Sequence, residues 1–230
     1  MTNLKTRMLG RADYRPVWDE QKRLFQALID YKRNSSDNSS SMPEESLLLV
    51  EHNPVITLGK HGKIENLLVS EETLKNRGIE CIRIERGGDI TYHGPGQLVA
   101  YPIIDLERYH LGVKDYVNLL EETVIRTIAR YGIKGERVEG ASGVWIGKGT
   151  PEERKICALG VKCSHFVTMH GLALNVNTNL DAFSVINPCG FTDRGVTSIA
   201  QETGSNVDIM ETAKILDFEF HQLLEPRRRQ

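Results

Sequence analysis

Apolar and polar positions alternate along the chain with two periods, one helical and one extended. Trp18, Gln21, Phe25, Leu28 and Ile29 recur at helical spacing, with Lys22 and Arg23 off that face, and predict an amphipathic helix over 14–33. The short apolar runs at 46–51 and 55–58, separated by the turn His52-Asn53-Pro54, read as strands. Ser70 as N-cap, Glu71 and Glu72 in the first turn and Gly78 as a stop give a short helix over about 71–77. At 79–85, Ile82 and Ile84 alternate with Arg83 and Glu85, as in a half-buried strand. A strand over 98–106 follows, and its Pro102 predicts an edge or a bulge. Val113, Tyr116, Val117, Leu120, Val124 and Ile128 mark a helix closed by Gly132.

The second half begins with short strands at 136–139 and 143–146. A polar hairpin tip over 147–154 leads to strands at 155–162 and through 169–177, and a last helix covers roughly 207–224. This order lacks the regular alternation of a doubly wound fold. It predicts α+β: a mixed, largely antiparallel sheet with packed helices, in a single domain over 1–230.

Two stretches fit neither period. Residues 35–41 are all serine, asparagine or aspartate, a polar surface loop unable to bury apolar area. Residues 86–97, Arg86-Gly87-Gly88-Asp89-Ile90-Thr91-Tyr92-His93-Gly94-Pro95-Gly96-Gln97, hold four glycines and a proline. They predict a long backbone-exposed loop, able to cradle a phosphate or to let a ligand chain lie close against the backbone. Neither G-x-G-x-x-G nor G-x-x-x-x-G-K-[ST] is present.

Net charge is −2, so no overall basic field points to nucleic acid. Residues 1–7 have no apolar stretch and no 18-residue apolar run occurs, so neither a secretory signal nor a membrane span is expected. The four cysteines form no C-x-x-C pair, which suits a reducing cytoplasm. C-x₅-C and C-x-H, from Cys157, Cys163 and His165, match no common structural zinc site, so no metal is expected and packing is the reading for Cys81, Cys157 and Cys163.

Cys189 differs from the other three. Pro188 fixes the backbone before it, biasing Asn187 towards an extended form, and Gly190 permits a turn after it. A cysteine nucleophile needs a neighbouring cation or base, and Lys155, at the head of Lys155-Ile156-Cys157-Ala158-Leu159-Gly160, is the candidate. His93 and His170 each precede a glycine, where a hydrogen-bonded structural histidine is commoner than a catalytic one.

These motifs resemble, in order and spacing, those of the octanoyl-acyl-carrier-protein:protein octanoyltransferases of lipoate synthesis (the LipB family). The resemblance rests on four segments: 86–97, 155–160, His170-Gly171-Leu172-Ala173-Leu174-Asn175-Val176-Asn177, and Asn187-Pro188-Cys189-Gly190, within a core of about 45–200. It implies a fold like the catalytic domain of biotin and lipoate protein ligases. It also implies Cys189 as the acyl-thioester nucleophile and Lys155 as the group that lowers its pKa and shuttles the proton. Arg86, Gly87, Gly88, Asp89, Ile90, Thr91, Tyr92, His93, Ala158, Leu159, Gly160, Gly171, Leu172 and Ala173 would line the acyl site, with His170 and Asn187 in support. The implied partners are octanoyl-acyl carrier protein and the lipoyl domains of 2-oxoacid dehydrogenases and the glycine cleavage H protein. Neither ATP nor another cofactor is expected, and the enzyme would act as a cytoplasmic monomer. The alternatives are an ATP-dependent lipoate or biotin ligase of the same fold, an acyl thioesterase, and an acyl-chain or carrier-protein binding module with an inert cysteine.

Overall fold

A computed structural model describes residues 4–34, 43–187 and 195–228. The serine-rich stretch 35–41 and the segment carrying Cys189 lie outside the described residues. In chain order the elements are β1 (Leu4–Ala12), α1 (Tyr14–Arg33), β2 (Glu45–His52), β3 (Val55–Leu58), α2 (Glu71–Asn76), β4 (Glu80–Arg83), β5 (Ile90–His93) and β6 (Gln97–Ile103). There follow α3 (Val113–Ala129), β7 (Glu136–Val138), β8 (Ala141–Ile146), β9 (Arg154–Ser164), β10 (Val167–Asn175), β11 (Gly195–Val196), α4 (Ile199–Thr203) and α5 (Ile209–Leu224).

The larger sheet runs β1-β2-β6-β10-β9-β8-β7, with β11 added in parallel to the start of β9, and a smaller sheet runs β4-β3-β5. Pairing is antiparallel except for β1 with β2, β3 with β4 and β11 with β9, so the architecture is the mixed, largely antiparallel α+β one. The two faces of the large sheet separate by residue parity. Leu98, Ala100, Leu172 and Leu174 bury against Tyr116, Leu120 and Val124 of α3 and Leu216 and Phe220 of α5. Val99, Tyr101 and Ala173 turn the other way, into a cluster with Val17, Phe25 and Leu28 of α1. No helix of the described residues is long and apolar enough to cross a membrane.

Local chemistry sets the element ends. Ser70 accepts a hydrogen bond from the Thr73 N–H and starts α2, and Gly78 follows it at φ +66°. Asp208 accepts from the Met210 and Glu211 N–H groups and starts α5.

One strand was not anticipated, and two expectations need correction. Strand β1 has no periodic apolar signal: Leu4 is buried and Leu9 and Ala12 are half-buried, but polar residues interrupt them and Met8 is exposed, as suits a charged edge strand. Residues 86–97 are not one exposed loop. Ile90, Tyr92 and His93 are buried in β5, which pairs with β3, and the glycines sit in the turns on either side. Pro102 lies in an interior strand, not at an edge. The β6–β10 ladder stops at Ala100↔Leu172 and resumes at the isolated bridge Asp105↔Val167. In that register Pro102 faces His170, so its missing N–H falls where the ladder is open.

Candidate active site

Where α1, the two sheets and the 86–89 turn meet, they enclose a cavity of about 490 Å³. Its floor is the large sheet's α1-side face. There β9 and β10 place Ala158 opposite Ala173 and Gly160 opposite Gly171. Ala158 and Ala173 keep the floor low, while at Gly160 and Gly171 the space of a side chain is taken by neighbouring protein atoms. Gly160 is fixed in kind, since a Cβ there would stand 2.8 Å from the Gly87 carbonyl oxygen and 3.0 Å from Arg86 Cδ. At Gly171 a Cβ would overlap the Ala100 carbonyl oxygen.

Lys155 reaches this floor through a β-bulge. β8 pairs Val144 with Cys157 but Trp145 with Lys155, so Ile156 is an extra residue. Strict alternation would put Lys155 on the face of Cys157, which packs in the core under α3. The bulge keeps Ile156 and Cys157 in that core and sends Lys155 into the cavity with Ala158. The lysine stem lies along Gly143, where a Cβ would stand 3.4 Å from Lys155 Cε, and its Nζ sits 4.5 Å from the Trp145 ring centre. Gly143 at φ +124° has its N–H held by buried Glu121, whose other oxygen accepts from Arg137 Nε. Burial raises the Cys157 thiol pKa, which leaves Cys157 inert.

The wall opposite comes from the 86–89 turn. Arg86 is buried and donates to the Thr57 carbonyl at 2.7 Å and to Thr57 Oγ1 at 3.0 Å. The Gly87 N–H bonds the Val161 carbonyl at 2.9 Å, tying the turn to the edge of β9. Gly88, Ile90, Thr91 and His93 also line the cavity. Asp89 lines it too, while its carboxylate accepts from the Lys63 N–H and from Asn66 Nδ2. Leu159, Leu172 and His170 complete the predicted residues found in the wall.

Among the described residues, two predicted ones stand outside this wall. The Tyr92 ring packs edge-on against Phe183 in a separate apolar cluster. Asn187 donates its N–H to the Asn66 carbonyl at 2.7 Å, anchoring the chain just before Pro188. On the far side of the Cys189 segment, Gly195 and Val196 line the cavity, and Val196 pairs with Lys155. Cys189 itself lies outside the described residues.

Wall residues that sequence reasoning passed over include Tyr14, Gln97, Tyr101, Trp145, Asn175 and Phe183. Gln97 and Asn175 belong to a buried hydrogen-bond chain. His93 Nδ1 lies 2.7 Å from Gln97 Oε1, Gln97 Nε2 donates to Asn175 Oδ1 and the Tyr92 carbonyl, and Asn175 Nδ2 donates to the Thr197 carbonyl. The Thr197 N–H donates to the Lys155 carbonyl at 2.9 Å. Both amide groups are fixed in orientation, so His93 carries its proton on Nδ1 and turns the Nε2 lone pair elsewhere. Burial, then the neighbouring His52, pushes the His93 pKa down to about 3. His170 is also pushed down to about 3, by burial and then by Arg86 and Lys162. Both rings are neutral at physiological pH.

The arrangement joins a lysine amine over an indole, a floor of small residues and a hydrogen-bonded wall in which both histidines are neutral. Residues 13–221 match the lipoyl protein ligase A/B catalytic domain. The chain is 52% identical over 215 residues to a Parabacteroides distasonis protein named octanoyltransferase, covering 93% of this chain and 95% of that one. A Bacteroides thetaiotaomicron protein of the same name is 49% identical over 217 residues, covering 94% and 93%. Among solved structures, the bipartite lipoate protein ligase of Thermoplasma acidophilum aligns with a TM-score of 0.68 at 18% identity, covering 98% of this chain and 85% of that one.

Proposed function

Because the chain belongs to the lipoyl protein ligase A/B catalytic-domain family and is an acyltransferase of the octanoyltransferase type, we propose that it moves an octanoyl group from octanoyl-acyl carrier protein to a lipoyl-domain lysine through a Cys189 thioester. One observation carries this reading: the bulge at Ile156 delivers Lys155 to the end of a strand floor made of Ala158, Gly160, Gly171 and Ala173.

The steps use this chain's own groups. The Cys189 thiol gives its proton towards Lys155 Nζ, and the thiolate attacks the carrier thioester carbonyl. The phosphopantetheine thiol leaves with a proton, and the acyl group stays on Cys189. The neutral amine of a lipoyl-domain lysine then attacks the enzyme thioester, the amide forms, and the cysteine sulfur recovers its proton. Thioester exchange is close to thermoneutral and amide formation from a thioester is downhill, so the cycle needs no ATP. Once Lys155 has taken that proton, the Trp145 face stabilises the ammonium it has become, and this cation holds the thiolate beside it. The alkyl chain lies on the strand floor, where each buried methylene contributes about 0.8 kcal/mol. The acceptors are lipoyl domains of 2-oxoacid dehydrogenases and of the glycine cleavage H protein. The enzyme works as a monomer in a reducing cytoplasm, which keeps Cys189 a free thiol.

Intact-mass measurement after mixing with octanoyl-acyl carrier protein tests the reading. The expected result is a gain of one octanoyl unit, removed by hydroxylamine, discharged by a lipoyl domain and absent in Cys189→Ser. Transfer without any adduct, or transfer that requires ATP, overturns it.

A further inference from the structure

The cavity wall holds a histidine whose ring makes no hydrogen bond to the described residues. His170 is 1% exposed, and neither Nδ1 nor Nε2 has a hydrogen-bond partner among the described residues. The nearby Glu85 carboxylate lies 4.0 Å from Nε2 and is engaged by Lys162 at 3.3 Å. The ring's orientation is built into the backbone. His170 has φ +59°, its N–H donates to Gln21 Oε1 of α1 at 3.0 Å, and it faces Pro102 where the β6–β10 ladder is open. Its ring meets Tyr101 edge-on and lines the cavity near Arg86. A buried polar group without a partner is costly, so an orphaned imidazole in a cavity wall points to a partner within the cavity.

Its position fits the length of an acyl chain. Lys155 leans along β8 so that its Cε lies by Gly143, one residue before Val144, the partner of Cys157. The amine therefore stands near the level of Ala158. His170 pairs with Val161, where the Gly87 N–H closes the turn onto β9. Three strand residues separate these levels, roughly 10 Å. A zigzag of eight carbons with single bonds of about 1.5 Å spans roughly 9 Å.

Building on the acyl-transfer reading, we propose that His170 is the end stop of the acyl channel: its ring nitrogens hold cavity water against which the terminal methyl packs, and this sets the preference for eight carbons. A longer chain must strip that water and leave the imidazole unpaired.

The test compares octanoyl-, decanoyl- and dodecanoyl-acyl carrier protein as donors for the wild type, His170→Gly and His170→Asn, both of which suit a left-handed backbone. Both variants should raise the decanoyl-to-octanoyl ratio of kcat/KM on the order of tenfold, the discrimination given by an extra methylene. An unchanged ratio in folded variants that still load octanoyl overturns the end stop. If the wild type loads no acyl chain, the transfer reading fails by itself. Titration calorimetry with free octanoate, decanoate and dodecanoate then decides, and the same shift in preference is required. A crystal structure of the wild type is independent of variant folding: water bonded to either ring nitrogen supports the proposal, and a dry ring bonded to protein overturns it.

Discussion

Lys155 Nζ sits over the indole of Trp145, 4.5 Å from the ring centre, because the bulge at Ile156 makes the two residues direct cross-strand partners. Trp145 is held by its Nε1–H, which donates to the Ala141 carbonyl at 3.0 Å. The indole thus fixes where the ammonium rests.

Trp145→Leu should lower kcat/KM for octanoyl transfer by roughly 3- to 30-fold, since a cation–π contact contributes about 0.5–2 kcal/mol. Trp145→Phe keeps an aromatic face and should stay within a few-fold of wild type. Iodoacetamide alkylation of Cys189 at pH 7 should slow in the same order. Equal rates for all three proteins would remove Trp145 from the positioning of Lys155.

Gly160→Val tests the closed floor. The added Cβ would stand 2.8 Å from the Gly87 carbonyl oxygen, a backbone atom with little room to move. Octanoyl loading, read by intact mass, should fall at least about tenfold, the scale of a misfitted methylene. Overpacking should also lower the urea-unfolding free energy by about 1–3 kcal/mol. Normal loading at reduced stability would show that the ligand lies elsewhere.

The helices and most strands were legible because their periods are long and uninterrupted, as in Val113–Ala129. Edge strand β1 was hidden because polar Thr6 and Arg7, which bond to α5 and α1, break up its few apolar positions. The chemistry of residues 86–97 was visible as a motif, but glycine content concealed the four residues of β5 that anchor it. Lys155 could be named from its motif. The bulge that aims it could not, because a bulge is a property of pairing with β8 and leaves no mark in one strand. Gln97 and Asn175 stood inside quoted motifs, yet their joint role appears only when β6 and β10 come into register at Gln97↔Asn175.

That register predicts a spectroscopic result. Gln97 and Asn175 together force the Nδ1–H tautomer on His93. Nitrogen-15 NMR of the wild type should show a protonated Nδ1 at pH 7 with no titration down to pH 5. Gln97→Leu should lose the single tautomer. Asn175→Leu leaves the Thr197 carbonyl without its donor and should cost about 1–3 kcal/mol in urea unfolding. A wild-type His93 titrating near 6.5 would contradict the fixed network.

The last prediction concerns acid. His52 is pushed down to about 4 by burial, and His93 and His170 to about 3, against about 6.5 in an unfolded chain. Between these values the unfolded chain binds protons that the fold excludes. Stability is therefore unaffected by these rings above pH 6.5 and falls as pH drops towards 4. Each ring should cost about 2 kcal/mol at pH 5, from 1.4 kcal/mol per pH unit. His221 acts in the opposite sense. Its pKa is raised by Asp217, so its contribution is full below 6.5 and is lost as pH rises. Urea unfolding at pH 7.5, 6 and 5 should show a net fall of several kcal/mol, and His52→Gln should remove about a third of it. Stability that stays level from pH 7.5 to 5 would mean that the three rings take up protons in the folded protein as readily as in the unfolded chain, and that His93 and His170 are not the neutral wall groups described above.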